Sequence, residues 1–88
     1  MKKILVFFVL SVFSYSQKAD LTSAILAFQK DDNEQAIEFI DIAYDKFMQK
    51  GLDQENPKLI SKFWFYRGEI NYKSGNLDIA VESYTNDL

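Results

Sequence analysis

The sequence predicts an all-α protein, with about four helices paired into two antiparallel helix-turn-helix units behind a separate N-terminal hydrophobic segment. Three observations carry that reading. From Leu21 onward, apolar residues recur at spacings of three and four, the period of one helix face. Turn-forming clusters interrupt the pattern at Asp31-Asp32-Asn33 and Ser74-Gly75-Asn76, and a polar loop from Leu52 to Asn56 separates the two halves. The first sixteen residues have a different composition from everything after them.

In that first segment Lys2 and Lys3 precede an apolar run from Ile4 to Phe13, broken only by Ser11, and Ser14-Tyr15-Ser16 follows. A basic start, an apolar middle and a small-residue end read as a secretory signal peptide over residues 1–16, with Gln17 as the terminus after cleavage. The run falls short of the roughly 20 apolar residues that a membrane-spanning helix needs. An uncleaved anchor and a buried N-terminal helix are the other readings. A lipoprotein would carry Cys at the cleavage site, and the chain has none. The expectation is export to the periplasm or the cell exterior, with no stable membrane span after cleavage.

Removing 16 of 88 residues leaves 72, enough for one small domain. Two of the 10 basic residues leave with the signal, so 8 basic residues stand against 13 acidic ones, a net charge of −5. An acidic surface argues against nucleic acid, where neutralised phosphates supply most of the non-specific affinity, and against an anionic membrane. With no cysteine there is no disulfide, and packing alone must hold residues 17–88 together.

Leu21, Ile25 and Phe28, with Ala24 and Ala27 between them, predict a first helix from about Lys18 to Lys30. The run Asp31-Asp32-Asn33 ends it, and Asp32 with Gln35 makes a weak capping box for the second helix. That helix places Ala36, Ile37, Ile40, Ala43, Tyr44 and Phe47 on one face. Lys46 and Lys50 suit its C-terminal dipole, and Gly51 suits the position just past its end. Asn56-Pro57 restarts helix, with Asn as the N-cap and Pro at the first helical position. Two further segments then meet at Ser74-Gly75-Asn76.

Within those two segments Trp64 and Gly68 sit a turn apart on one face, and Ala80 and Tyr84 form a second small–large pair. Helices carrying such pairs can pack closely, each aromatic entering its partner's notch. Trp64, Gly68, Ala80 and Tyr84 stand in the register of a tetratricopeptide repeat, which this stretch resembles. The sequence departs from that pattern at Arg67, where the family usually has Leu, and at Asn71, where it has Tyr. It departs again at Asp87, where an Ala is expected. The first half is a poorer match: Ala36, Ile40 and Ala43 repeat the spacing, but Asp20 stands where Trp64 calls for an aromatic. The interval from Ala36 to Ala80 is 44 residues, about ten longer than the family's usual 34, and the excess falls in the second helix and the loop from Leu52 to Asn56.

The resemblance implies a binding scaffold for a protein or peptide partner. It also implies that the face of each first helix turned away from its hairpin partner lines a groove. That places Lys62, Phe65, Glu69, Tyr72 and Lys73 in the groove, with Leu21, Ile25 and Phe28 as counterparts in the first unit. Packing of Phe65 and Tyr72 against a neighbouring helix is the competing assignment. The family's mode of gripping a terminal carboxylate is not expected, because Phe65 and Glu69 occupy positions that call for a basic residue and an Asn.

The composition points away from catalysis and away from any cofactor or metal. With no His and no Cys, the commonest general base, the thiolate nucleophile and the usual zinc and iron ligands are all missing. The three glycines are too scattered for a phosphate-binding loop. Glu34, Glu38, Asp41 and Asp45 form one acidic stripe, which could attract a basic segment or a weakly held calcium ion. We read it as a solvated helix face, because a straight helix cannot wrap oxygens around one ion. The chain is therefore expected to be a protein-interaction module or scaffold. The alternative is the N-terminal interaction segment of a longer exported protein whose enzymatic, signalling or ligand-binding part lies past Leu88.

Leu77, Ala80, Val81, Tyr84 and Leu88 give the last segment an apolar face without a capping element after it. Repeat units bury a continuous core only by stacking on neighbours. Residues 17–88 are therefore expected either to be part of a longer array or to self-associate through the last helix. The export reading has a direct check. Mass spectrometry of the exported protein should find its N-terminus at or near Gln17, and an intact Met1 in that fraction would overturn it.

Overall fold

The computed structural model describes residues 17–52 and 55–87. Residues 1–16, on which the export reading rests, lie outside the described residues, as does Leu88. Four helices make up the described chain: α1 (Gln17–Gln29), α2 (Asn33–Lys50), α3 (Pro57–Lys73) and α4 (Leu77–Asp87). Their ends fall where the local chemistry puts them. The Asp32 carboxylate accepts from the Gln35 amide at 3.1 Å to start α2, and the Asn56 side chain accepts from the Lys58 amide at 2.8 Å to start α3, with Pro57 in the first turn. Gly51, at φ 93°, ends α2 by donating its amide to the Phe47 carbonyl at 3.0 Å.

The two turns have the same construction 44 residues apart. In the first, the Asp32 amide reaches back to the Ala27 carbonyl at 2.9 Å and the Asp31 amide to the Phe28 carbonyl at 3.1 Å. In the second, the Asn76 amide reaches the Asn71 carbonyl at 2.8 Å and the Gly75 amide the Tyr72 carbonyl at 3.1 Å. This paired six-to-one and five-to-two bonding is a Schellman end, and it requires a left-handed residue. Gly75 supplies it at φ 86°. Asp31 occupies the same place at φ 61°, where L-residues are disfavoured. The Asp31 carboxylate forms an ion pair with Lys73 at the far end of α3, an interaction that glycine could not make.

Each turn folds a helix pair back on itself. In the second pair the cross-helix contacts Ser61–Asp87, Arg67–Ser83 and Asn71–Asn76 span 26, 16 and 5 residues, shrinking toward the turn as antiparallel packing requires. In the first pair Lys46 on α2 holds Asp20 on α1 at 2.6 Å, near the open end. The pairs then stack, because α3 packs against both α1 and α2. Phe28 on α1 meets Tyr66 on α3 edge-on at 6.3 Å, and Asp31 just past α1 meets Lys73 at the end of α3. The two first helices therefore run in the same direction, as successive units of a stack do.

The core is continuous across this junction. Leu21, Ala24, Ile25 and Ala27 from α1 join Ala36, Ile40, Ala43 and Phe47 from α2 and Phe63, Trp64 and Ile70 from α3. Its centre is aromatic: Phe63 lies 4.6 Å from Phe47 and 4.9 Å from Trp64, and Tyr44 stacks on Phe63 at 6.3 Å. Within the second pair, Gly68 lets Tyr84 come so close that a Cβ there would sit 2.7 Å from the tyrosine ring. This is the notch expected from the Gly68–Tyr84 register. Trp64 sits differently from the sequence expectation. Its ring meets Tyr44 of α2 at 6.4 Å, so it works at the junction between the pairs as well as within its own pair.

Three substitutions separate these contributions in thermal melts. Gly68→Leu overpacks the Tyr84 contact and should destabilise by about 1–3 kcal/mol. Gly75→Ala, which meets no neighbour within 4 Å, should cost only the left-handed strain, about 1 kcal/mol. Asp31→Gly relieves a strain of that size and loses an exposed ion pair worth up to about 1 kcal/mol, so the net shift should stay within about 0.5 kcal/mol.

Candidate functional site

The groove face expected on α3 divides by exposure. Lys62, Phe65, Tyr72 and Lys73 are exposed, and Glu69 is half-buried. Phe65 stands 41% exposed and Tyr72 62%, large areas for aromatic side chains that lie on a helix otherwise in contact with three others. The Phe65 ring is braced edge-on by Tyr66 at 5.2 Å, which holds its position while leaving its outer face to solvent. Two members of the set are committed elsewhere. Glu69 accepts a 3.0 Å hydrogen bond from the Tyr84 hydroxyl, and Lys73 pairs with Asp31 while lying 5.3 Å above the Phe28 ring. The face that remains is two aromatics with a lysine beside them.

The counterparts proposed in the first unit do not form a surface. Leu21 is 1% and Ile25 9% exposed, both inside the core, and Phe28 is half-buried against Tyr66. The reason is the stacking itself: α3 covers the side of the first pair on which these residues lie. The repeat-signature positions Trp64, Gly68, Ala80, Ala36, Ile40 and Ala43 are buried, and Tyr84 is half-buried over Gly68.

Two positions that break the sequence pattern turn out to be one feature. Arg67 and Asn71 are both buried on α3. The Arg67 Nη1 donates to Glu82 at 2.9 Å and to the Ser83 hydroxyl at 3.0 Å, both on α4. Its guanidinium lies 4.3 Å over the Tyr44 ring and 5.7 Å from the Trp64 ring, so a cation meets two aromatic rings at the junction of the pairs. Asn71 donates to the Arg67 carbonyl at 2.8 Å and accepts from Asn76 at 3.1 Å, and Ser83 donates onward to the Ile79 carbonyl at 2.8 Å. The Arg67 Nε finds no acceptor among the described residues. Sequence periodicity could not find this network, because a buried Arg and Asn appear in it only as interruptions of an apolar face. The available signal was their spacing of four, which puts both on the face carrying Phe63 and Trp64.

The acidic stripe of α2 is exposed at Glu34, Glu38, Asp41 and Asp45. The Asp41 carboxyl is raised above its usual range, chiefly by partial burial and further by Asp45, with Arg67 pulling the other way. A raised carboxyl means that the folded state binds the extra proton, so this group's contribution to stability falls as pH rises through the shifted value. Among the described residues no group of three acidic side chains could hold a metal ion, and no helix is long and apolar enough to cross a membrane. Comparison with protein-family models, with curated proteins and with solved structures finds no match to this chain.

The buried network makes a measurable claim on stability. Arg67→Ala removes two hydrogen bonds donated by a charged guanidinium, to Glu82 and Ser83, together with its contacts to the Tyr44 and Trp64 rings, and should destabilise by about 3 kcal/mol. Glu82→Gln should cost less than about 1 kcal/mol, since Glu82 is half-exposed and keeps a hydrogen-bonding oxygen. Equal losses for the two in urea titrations would place the energy in the surface ion pair and not in the contacts with Ser83 and the rings.

Proposed function

We propose that this chain is an exported, non-catalytic protein-interaction module of the tetratricopeptide-repeat kind, holding its partner on the α3 face that carries Phe65 and Tyr72. The observation that carries the reading is the exposure of these two rings on a helix fixed by contacts to the three others. A rigid aromatic loses little conformational entropy on binding and supplies much of the affinity of a protein interface, with a charged residue at its rim. Lys62 is that rim residue here. Support for the repeat comes from the two turns, whose backbone hydrogen bonds coincide at an interval of 44 residues, and from the close approach of Tyr84 to Gly68. The excess over the usual repeat length lies in α2, which has 18 residues, and in the loop before α3.

Simultaneous Phe65→Ala and Tyr72→Ala tests the assignment. Tyr72 is 62% exposed and Phe65 41%, so helicity by circular dichroism should be kept and the melting temperature should fall only modestly. Binding of a native partner should fall at least tenfold, the size expected when two aromatic anchors are lost. Full binding with the fold intact would place the interface elsewhere.

A further inference from the structure

Half of the basic side chains among the described residues are committed to acids: Lys46 to Asp20, Lys50 to Glu55, Arg67 to Glu82 and Lys73 to Asp31. Lys18, Lys30, Lys58 and Lys62 form no ion pair with any described residue. All of these except Lys30 converge on one depression where α1 and α3 begin. It is walled by Lys18, Asn56, Lys58, Leu59 and Lys62, with no acidic side chain among them. Helix stability alone would choose otherwise. Lys58 stands in the first turn of α3, which holds no acidic residue, so its charge faces the positive end of the helix. Lys62 sets a like charge one turn further along, and Lys18 brings a third from α1. In a chain of net charge −3, these cations are left to repel one another. An anion seated among them removes that repulsion.

The lysines run on into the aromatic face. At 3.6 residues per turn, Lys58, Lys62, Phe65, Glu69 and Tyr72 fall on one stripe of α3 about 80° wide. Glu69 is half-buried and bonded to the Tyr84 hydroxyl, and the other four are exposed. The stripe is therefore polarised, with cations at its start, rings further on, and a carboxylate between the rings. We infer that the partner protein's segment on this face is acidic at one end, seating two or more carboxylates among Lys18, Lys58 and Lys62 and running apolar side chains on to Phe65 and Tyr72. This rests on the reading of that face as a protein-binding surface, and it adds the partner's charge and its direction. Glu69 repels an acidic residue placed further along, so the acidic end lies toward the start of α3. The chain's own first segment does not fit the site, because residues 1–16 contain Lys2 and Lys3 and no acidic residue. A long polyanion such as nucleic acid fits poorly as well. Beyond the three lysines the stripe offers it Glu69, and Lys73 at the far end is already held by Asp31. Exposed charge contacts of this kind steer and orient a partner, and their signature is an affinity that falls with salt.

The probe is a short capped peptide, with glutamates in its first half and leucine and tryptophan in its second, titrated into the 15N-labelled whole chain. Saturable shifts are expected at Lys18, Lys58 and Lys62 and, from the apolar half, at Phe65 and Tyr72. Glutamine in place of the glutamates should weaken binding about tenfold, and added salt should weaken it progressively. Lys58→Glu together with Lys62→Glu should have an effect of similar size. The melting temperature should hold in that variant, because an acid suits the first turn of α3. Lys58→Arg with Lys62→Arg should bind as the parent does. The inference is overturned by an absence of shifts up to about 1 mM peptide, or by a glutamine peptide that binds equally well. It is overturned also if inorganic phosphate or a short oligothymidylate displaces the peptide at equal concentration, since the lysines would then be a general anion site. Self-association of the chain that the lysine reversals abolish would give the site to the acidic stripe of a second copy, and overturns it too. The parent reading fails separately. Native-partner capture that needs Phe65 and Tyr72 but survives the lysine reversals refutes only the acidic end, whereas capture indifferent to both rings refutes the interaction site itself.

Discussion

The stacking of the two helix pairs depends on one buried cation. Arg67 projects from α3 into a place where α2, α3 and α4 all supply it with partners: the Tyr44 ring on one side, Glu82 and Ser83 on the other, and Trp64 beside it. A guanidinium is suited to that position because its flat faces lie against rings while its edges donate hydrogen bonds. A leucine of similar reach could fill the volume but would leave Ser83 without its donor and α4 without a link to α2. The arrangement ties the second pair to the first through directional bonds as well as through apolar burial, and it constrains the angle between the pairs more than greasy packing alone would.

The two pairs solve the same geometric problem with different chemistry. Both turns need one left-handed residue. Gly75 meets the requirement without strain, whereas Asp31 adopts it with strain and places a carboxylate where the end of α3 arrives. Below the turns the contrast continues: Ala27 of the first pair corresponds to Asn71 of the second, and Ser23 to Arg67. At these two places the first pair has small side chains, and the second carries a polar network.

That division also locates the surface available for binding. Burying Leu21, Ile25 and Phe28 under α3 removes the inner face of the first pair from contact with anything else. The equivalent face of the second pair keeps two aromatics and a valine in solvent. Because α3 is gripped from three sides, those aromatics are held in place before a partner arrives, and little ordering cost remains for the encounter.

Much of this was legible in the sequence. The period of three and four, the caps at Asp32 and Asn56, the glycines at Gly51 and Gly75 and the small–large pairing of Gly68 with Tyr84 are local signals, set by side-chain spacing and backbone preference within a turn or two. They determine how many helices form, where each begins and ends, and which helices pair as hairpins. What they do not determine is which exposed-looking residues are covered once the pairs stack. Leu21, Ile25 and Phe28 have the same spacing as Phe65 and Tyr72, yet α3 lies over the first set and no described helix lies over the second. The role of Arg67 was hidden for the same reason, since its partners Tyr44 and Ser83 lie far from it along the chain and come together only when three helices meet. Burial of a face is a property of its neighbours, and only the tertiary structure decides who those neighbours are.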